Sequence, residues 1–340
     1  MSRGTALVIG GRGALGALVA DELGRDGWRV RRGTRSPSRD GDDVAVDFDQ
    51  PYTLRPALKD VDLVVNCVPD EALAVERMVL ARGGLVLNVS ALPDAPGRRL
   101  REQASGGRGT VVMNAGIAPG VTNLVAADLL RLHPEADAVE MVFTVSAFGT
   151  NGPSGMRFAH RGLAGRHRTM RVPLPSPFGQ RTCIGFAERD RGWLSDADRV
   201  KVETFLCVRE GRIHCAMVAA NAAGVLRLLP PPAPWLRPPA VSRAPSREPI
   251  AHWVAVRRGR ERLAARTVRC RGDYVAAAAS TRVFADVLLA RGDLAGGVYG
   301  PEDALALDDV APALAAFGIE VVDEGAAGAA ERQLAAAHER

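Results

Sequence analysis

Lysine is nearly absent from this sequence, and its shortage limits the chemistry that the chain can use. Lys59 and Lys201 are the two lysines, so arginine supplies 42 of the 44 basic residues. A mechanism that needs a lysine base or a Schiff base therefore has two candidates. The arginines are scattered among acidic residues, and the few aromatic residues do not interleave with them. Because nucleic-acid binding needs a clustered basic stripe, no nucleic-acid partner is expected.

Metal-binding patterns and long apolar runs are also missing. The five cysteines form no C-x-x-C pair, and the six histidines form no H-E-x-x-H motif. We predict no metal site and interpret the cysteines as free thiols. No apolar run approaches the roughly 20 residues that span a bilayer. The N-terminus enters a strand without a cleavable signal pattern, so we expect a cytoplasmic protein with no membrane partner.

A glycine-rich turn lies between a strand and a helix near the start of the chain. "TALVIG" at 5–10 is β-rich, and the stretch after residue 13 has apolar residues at helical spacing. Between them the sequence matches G-x-G-x-x-G, which in this context predicts a dinucleotide-binding Rossmann domain rather than a merely structural turn. The predicted cofactor contacts in the turn are Gly11, Arg12, Gly13, Ala14, Leu15 and Gly16.

The second strand, "WRVRRG" at 28–33, bears on which dinucleotide binds. An NAD-binding domain places a carboxylate at the end of this strand for the ribose 2′-hydroxyl. Here Thr34, Arg35 and Ser36 follow, and no carboxylate occurs before Asp40. A guanidinium and two hydroxyls suit a 2′-phosphate, so NADP(H) is predicted. The alternative is a solvated basic loop with no contact to a ligand.

Strands and helices then alternate up to residue 114, which is typical of a parallel, doubly wound sheet. In such sheets the ligand binds at the carboxyl ends of the strands. Further cofactor contacts are therefore predicted where strands end or turns follow them. These are Asp47, Asn66, Cys67, Val68, Ser90 and Gly116.

The stretch "NAGIAPGVTN" at 114–123 turns sharply between the last of these strands and a helix. Backbone N–H groups at the start of that helix would face the nicotinamide end of the pocket. We predict that this turn binds an anionic group of the substrate. The alternative is an ordinary turn between domains with a helix cap. The predicted substrate contacts here are Pro119, Gly120, Val121, Thr122 and Asn123.

These motifs resemble those of the saccharopine dehydrogenase-like reductase family. The resemblance rests on "VIGGRGALG", "VVNCV", "NAGIAPGVTNLVAADLL", and "LLARGDLAGGVYGPEDAL" followed by "LAAFGIEVVDE". It implies an α/β protein whose N-terminal Rossmann domain receives an inserted α+β domain before the chain returns to the Rossmann sheet. The implied division is 1–121 with 278–335 for NADP binding, and 122–277 for substrate binding and dimerisation.

The family also implies a function. Its members often reduce or oxidise C–N bonds of amino-acid-like or polyamine-like substrates with NAD(P). The similarity is to the glutamate-forming enzymes, since the lysine-forming ones use a Lys/His pair that a lysine-poor chain is not expected to have.

The region 122–277 contains strand-like and helical stretches. "IAHWVAVRRGRERLAARTVRCRGDYV" at 250–275 is predicted to form a hairpin, and "HCAMVAANAAGVLRLL" at 214–229 a helix. Because 199–275 offers sheet edges, a homodimer through this domain is expected. The proline-rich stretch 230–249 is predicted to be an extended loop.

The segment 150–171 is predicted to be a loop that closes over the substrate. Its His160 is the candidate proton donor, and its Arg161 is a candidate partner for a substrate carboxylate. The alternative is a solvated basic stretch.

Three functions remain open. The first is an NADPH-dependent reductase acting on the C=N or C=O group of a small amino-acid-like or amine compound. The others are a non-enzymatic NADP(H)-binding sensor and a redox-neutral synthase that recycles bound nicotinamide. A short-chain dehydrogenase is excluded, because none of the three tyrosines begins a Tyr-x-x-x-Lys motif.

Overall fold

The computed structural model describes residues 3–38, 41–104, 106–147, 152–186, 199–228 and 247–324. Within these residues the chain forms two seven-stranded sheets. No helix in these segments is long and apolar enough to cross a membrane.

The first sheet is parallel throughout and is built mainly from the N-terminal third of the chain. Its strands are β1 (Thr5–Ile9), β2 (Arg29–Thr34), β3 (Asp43–Ala45), β4 (Leu63–Asn66), β5 (Gly84–Asn88), β6 (Gly109–Val112) and β13 (Gly297–Tyr299). They lie in the order β13-β6-β5-β4-β1-β2-β3. This is the doubly wound arrangement predicted from the sequence.

Helices cover both faces of this sheet. The crossovers are α1 (Ala14–Arg25), α2 (Leu54–Ala57), α3 (Ala74–Arg82) and α4 (Asp94–Gln103). Along β1, Ala6 and Val8 pack into one hydrophobic core, and Leu7 and Ile9 into another. Both faces are buried at the centre of the sheet, which explains why β1, β4 and β5 are largely apolar, whereas β2 and β3 nearer the edge are not.

The second sheet is mixed. Its strands are β7 (Ala138–Val145), β8 (Thr169–Leu174), β9 (Gly179–Gly185), β10 (Lys201–Val208), β11 (Pro249–Arg258), β12 (Glu261–Arg271) and β14 (Glu320–Asp323). They lie in the order β14-β12-β11-β7-β10-β9-β8, with β7 and β10 parallel and the other pairs antiparallel. The predicted hairpin is present as β11 and β12.

The connections between the sheets are helical. They are α5 (Val121–Leu132), α8 (Asp273–Arg291), α9 (Pro301–Ala304) and α10 (Leu307–Ala316). Helix α8 packs against α1, and its Thr281 donates a hydrogen bond to Ala115 O at 3.0 Å. The division at 121, 277 and 335 stays a prediction. Within 278–335, β13 lies in the first sheet and β14 in the second.

Two predictions for the middle region need correction. The segment predicted as a loop contains helix α6 (Pro153–Leu163), with a proline in its first turn and Gly152 as its N-cap. Helix α7 (Gly211–Ala222) begins and ends earlier than the predicted helix at 214–229. Most of the proline-rich stretch, 230–246, lies outside the described residues.

Candidate functional site

The three glycines of the fingerprint have little or no room for a side chain. An added Cβ would lie 2.9 Å from Arg32 Cβ at Gly11 and 3.1 Å from Gly10 O at Gly13. At Gly16 the same atom would lie 2.1 Å from Gly10 O, so the third glycine lets α1 pack against the turn. The approach of a pyrophosphate to this turn stays a prediction.

The start of α1 is open. Its N-cap is Gly13, no side chain caps the helix, and its first turn holds no acidic residue. The first N–H groups of a helix have no partner within the helix, and the dipole favours an anion there. The predicted cofactor contacts Ala14, Leu15 and Gly16 lie in this first turn, and their binding of a phosphate stays a prediction.

The end of β2 carries the residues predicted to choose the cofactor. Thr34 is half-buried and its Oγ1 accepts a hydrogen bond from Ser36 N at 3.3 Å, while Arg35 and Ser36 are exposed. Arg12 reaches across from the glycine turn and forms an ion pair with Asp43. A hydrogen bond from Ser38 N and the Arg12 guanidinium hold the pKa of Asp43 below its usual value.

Asp47 has a structural role in this conformation. Its carboxylate accepts hydrogen bonds from Asp49 N and from the Gln50 side chain, both at 3.1 Å. The cofactor contact predicted for Asp47 stays a prediction, and these two bonds show that its carboxylate also stabilises the turn that follows.

The ends of β4 and β5 are tied together by one buried carboxyl group. Asn66 and Asn88 are the last residues of their strands, and both are fully buried. Their Nδ2 groups donate to the same atom, Glu76 Oε1, at 2.9 and 2.7 Å. Their Oδ1 atoms accept from Val68 N at 3.0 Å and Ser90 N at 2.9 Å. The loops after β4 and β5, which carry predicted cofactor contacts, are thus held by the same pattern of asparagine hydrogen bonds.

Burial affects the ionisation of the groups in and beside this network. Glu76 has no exposed surface, and its Oε2 has no hydrogen-bond partner among the described residues. Burial raises the pKa of Glu76, while the hydrogen bond from Asn66 opposes that shift. Burial also raises the pKa of the Cys67 thiol to about 12, so this predicted cofactor contact is a neutral group and a poor nucleophile.

The turn at 116–120, which was predicted to bind an anionic group of the substrate, makes several hydrogen bonds within the chain. Asn123 Oδ1 accepts a hydrogen bond from Gly120 N at 3.1 Å, which caps α5. Val121 N and Thr122 N donate to Gly116 O and Ile117 O at 3.2 and 3.1 Å.

The start of α5 is therefore closed, whereas that of α1 is open. The side chains of Val121, Thr122 and Asn123 have no exposed surface. Buried side chains and occupied N–H groups leave no donor for a substrate in this conformation. Pro119 is partly exposed and stays available at the site, but Gly120 is buried.

Helix α6 lies close to the glycine turn. A Cβ placed on its N-cap, Gly152, would be 3.7 Å from both Ala14 Cβ and the Tyr274 hydroxyl oxygen. Near its other end, Arg161 lies 3.8 Å from Glu71, which follows β4. The helix therefore touches the first sheet's ligand-binding edge at both ends.

Helix α6 carries the candidate proton donor, His160, and the candidate partner for a substrate carboxylate, Arg161, in different surroundings. Arg161 is exposed, and its partner Glu71 is exposed too, so the ion pair is weak and the guanidinium is accessible. His160 is half-buried. Their predicted roles toward a substrate stay predictions. No cluster of metal-ligating side chains occurs among the described residues.

Sequence reasoning missed three residues at this edge, namely Glu76, Asn88 and Tyr274. A signal for Asn88 was present, because the fourth, fifth and sixth strands are each followed or ended by asparagine at 66, 88 and 114. Glu76 lies on a helix and Tyr274 is over 200 residues from the glycine turn, so neither had a local signal.

Two solved structures share this architecture over nearly the whole chain. Saccharopine dehydrogenase (L-glutamate-forming) from Saccharomyces cerevisiae has a TM-score of 0.61 and 12% identity, covering 94% of this chain and 99% of that chain. The homospermidine synthase of Legionella pneumophila, solved in complex with NAD, has a TM-score of 0.64 and 10% identity, covering 94% and 91%. Neither a family model nor a curated protein matches the sequence.

The fold is therefore a Rossmann domain joined to a mixed-sheet domain. It is the fold of saccharopine dehydrogenase and homospermidine synthase, as the sequence resemblance predicted.

Proposed function

We propose that this protein is an NADP(H)-dependent oxidoreductase of the saccharopine dehydrogenase-like type. It transfers a hydride to or from the C=N/C–N or C=O centre of a small amino-acid-like or amine metabolite. The observation that carries the proposal is the open start of α1 at a side-chain-free glycine turn, beside helix α6 of the second domain. We place the protein in the cytoplasm, consistent with its free cysteines.

The residues present fit a dinucleotide. The glycines let the turn pack closely against β2 and α1, and three first-turn N–H groups of α1 would bind the pyrophosphate. The loops after β4 and β5, held by Glu76, would border the nicotinamide half. When bound, the cofactor supplies the hydride, and the protein supplies position and electrostatics.

The preference for NADP(H) rests on charge at the end of β2. Arg35 is exposed there, and Arg12 is exposed nearby although it is paired with Asp43. A guanidinium binds a phosphate with two parallel hydrogen bonds, which a ribose hydroxyl cannot accept. We propose Arg35, with Thr34 and Ser36, as the site of the 2′-phosphate.

The proposed roles toward the substrate belong to two side chains of α6. Arg161 would bind a substrate carboxylate, and His160 would deliver the proton that accompanies the hydride. Pro119 would line the same end of the site.

Cofactor titration followed by a turnover screen tests this function. NADPH should bind at least ~10-fold more tightly than NADH, and Arg35→Asp should reduce that ratio. Arg260→Asp is the charge-matched control, since Arg260 lies on the exposed β11–β12 turn. Equal affinities for the two dinucleotides would remove the NADP(H) assignment.

The screen separates the alternatives. Imines, keto acids and amines should include a compound that consumes or forms NADPH stoichiometrically. A product formed without net NADPH change would indicate a redox-neutral synthase instead. Binding without turnover of any compound in these classes would favour the sensor.

A further inference from the structure

Tyr274 is placed at the ligand-binding edge of the first sheet by a distant part of the chain. It is the second residue of α8, and this helix packs against α1. Ala277, one turn further along α8, faces Gly116 in the turn after β6. The start of α8 therefore lies above the carboxyl ends of the parallel strands, where ligands of such sheets bind.

The Tyr274 hydroxyl lies close to the start of α1. Its oxygen accepts a hydrogen bond from Gly152 N at 3.2 Å. A Cβ placed on Gly152 would lie 3.7 Å from this oxygen and 3.7 Å from the Cβ of Ala14, the first residue of α1. Gly152 is thus the residue that lies between the hydroxyl and the open start of α1.

The start of α8 lies over the side of the sheet away from β2. One turn after Tyr274, Ala277 faces Gly116 in the turn after β6, and β6 and β2 lie on opposite sides of β1. Because the adenosine end of a dinucleotide lies at β2, a group on the β6 side faces the other half of the ligand.

The hydroxyl still has a proton to donate. A phenol oxygen accepts and donates, and Gly152 N fills the accepting role. Among the described residues no acceptor lies within hydrogen-bond distance of the hydroxyl proton. Burial raises the pKa of Tyr274, so the group keeps this proton at neutral pH.

We infer that the Tyr274 hydroxyl donates a hydrogen bond to the nicotinamide-riboside half of the bound dinucleotide. This inference rests on the proposed function and adds a contact from α8 to it. It also gives a reason for the distant helix to return to the glycine turn. Tyr274 is a positioning residue in this role.

Binding of whole and truncated cofactor tests the inference. Affinities of wild type and Tyr274→Phe are measured by fluorescence for NADPH and by calorimetry for 2′-phosphoadenosine 5′-diphosphate, which lacks nicotinamide riboside. Tyr274→Phe should bind NADPH about 3- to 10-fold more weakly, the effect of one lost hydrogen bond, and the fragment equally well. If wild type prefers NADH, NADH and ADP replace the two ligands.

Two controls address structural effects. Tyr52→Phe removes a hydroxyl from a side chain that is 74% exposed, and Glu71→Ala removes the ion pair at the other end of α6. Each of these two variants should bind NADPH and the fragment as tightly as wild type.

Three results would overturn the inference. They are NADPH affinity within twofold of wild type, an equal loss for the fragment, or the same loss in Glu71→Ala. The second result would place the hydroxyl on the phosphates, and the third would mean that it only holds α6. A wild-type protein that binds no dinucleotide would refute the proposed function itself.

Discussion

Glu76 is a carboxyl group with no exposed surface beneath the edge where a ligand would bind. One of its oxygens serves two asparagine side chains, and the other has no partner among the described residues. Removing a buried carboxyl from water disfavours its charged form. Glu76 holds two loops in place, and the free energy needed to bury its carboxyl group depends on pH.

Replacing Glu76 by glutamine should remove this pH dependence. The pKa of Glu76 is raised by burial in the folded state from an ordinary value of 4.5. Between the pKa of the unfolded state and the higher pKa of the folded state, the folded state binds more protons. Its stability therefore falls as pH rises through this window. The unfolding free energy of Glu76→Gln should therefore rise relative to wild type as pH increases from 4.5.

Urea denaturation at a series of pH values measures this effect. Glu71→Gln is the matched control, because the Glu71 side chain is 64% exposed, and its difference from wild type should stay flat. A difference between Glu76→Gln and wild type that does not change with pH would contradict the prediction. Glu76→Leu should cost about 1–3 kcal/mol for each asparagine left unpaired.

The two helices α1 and α5 both follow a strand of the parallel sheet and both begin after glycine, yet their starts differ. Helix α1 has no side-chain cap, whereas the start of α5 is closed by Asn123 and by the turn before it. An open start can bind an anion, and a closed start fixes the direction of the chain. Helix α5 is thus a structural link between the two sheets.

Asn123→Ala should lower stability without changing cofactor binding. The substitution removes the acceptor for Gly120 N and should cost about 1 kcal/mol, as for other helix caps. Thermal unfolding and NADPH titration of the same preparation measure both effects. A selective loss of kcat/KM, with stability and NADPH affinity unchanged, would instead restore a direct substrate contact.

Gly120→Ala should be far more damaging. Gly120 has a φ of +137°, and an added Cβ would lie 1.8 Å from Gly116 O. The loss should exceed about 3 kcal/mol or prevent folding, as expected for strain with a backbone collision.

Gly292→Ala is the control for Gly120→Ala. Gly292 has a φ of +64° with nothing within 4 Å, so only the left-handed conformation opposes its substitution. That change should cost about 1–2 kcal/mol. Equal stability of the two variants, measured by chemical denaturation, would be inconsistent with the predicted collision.

The whole molecule joins a parallel sheet to a mixed sheet through α5 and α8. The return of the chain adds β13 to one sheet and β14 to the other, so the C-terminal part belongs to both. Strand β14 covers part of the outer edge of the β11–β12 hairpin. The edge strands of the second sheet, among the described residues, are β8 and β14.

A homodimer through the second domain remains a prediction, although the edge strands of the described sheet, β8 and β14, lie outside the region 199–275 from which it was argued. Edge strands present unpaired N–H and C=O groups that a second copy can cover. Light scattering should give a mass of about twice 36.0 kDa at micromolar concentration. A stable 36.0 kDa monomer of the wild type would refute the prediction.

Local sequence patterns were sufficient to predict the first domain. Its central strands β1, β4 and β5 are largely apolar, and Gly11, Gly13 and Gly16 lie at the turn and helix start that follow the first strand. These features depend on neighbours in the chain, because a buried parallel strand is apolar on both faces and a close turn needs glycine. The hairpin of the second sheet was also predictable, because two strand-like runs flank a short turn at Gly259.

The tertiary structure decided which of these groups face a ligand. Thr122 and Asn123 looked like donors in sequence, but folding placed them inside the protein, where the chain itself uses their hydrogen bonds. Helix α6 packs through Phe158 on Phe186, the residue that follows β9, and this contact between distant residues has no local pattern in the sequence. Glu76 and Tyr274 reach the site through packing of helices whose positions no local pattern encodes. Contacts between residues far apart in the chain depend on how whole elements pack, so only the folded molecule brings them together.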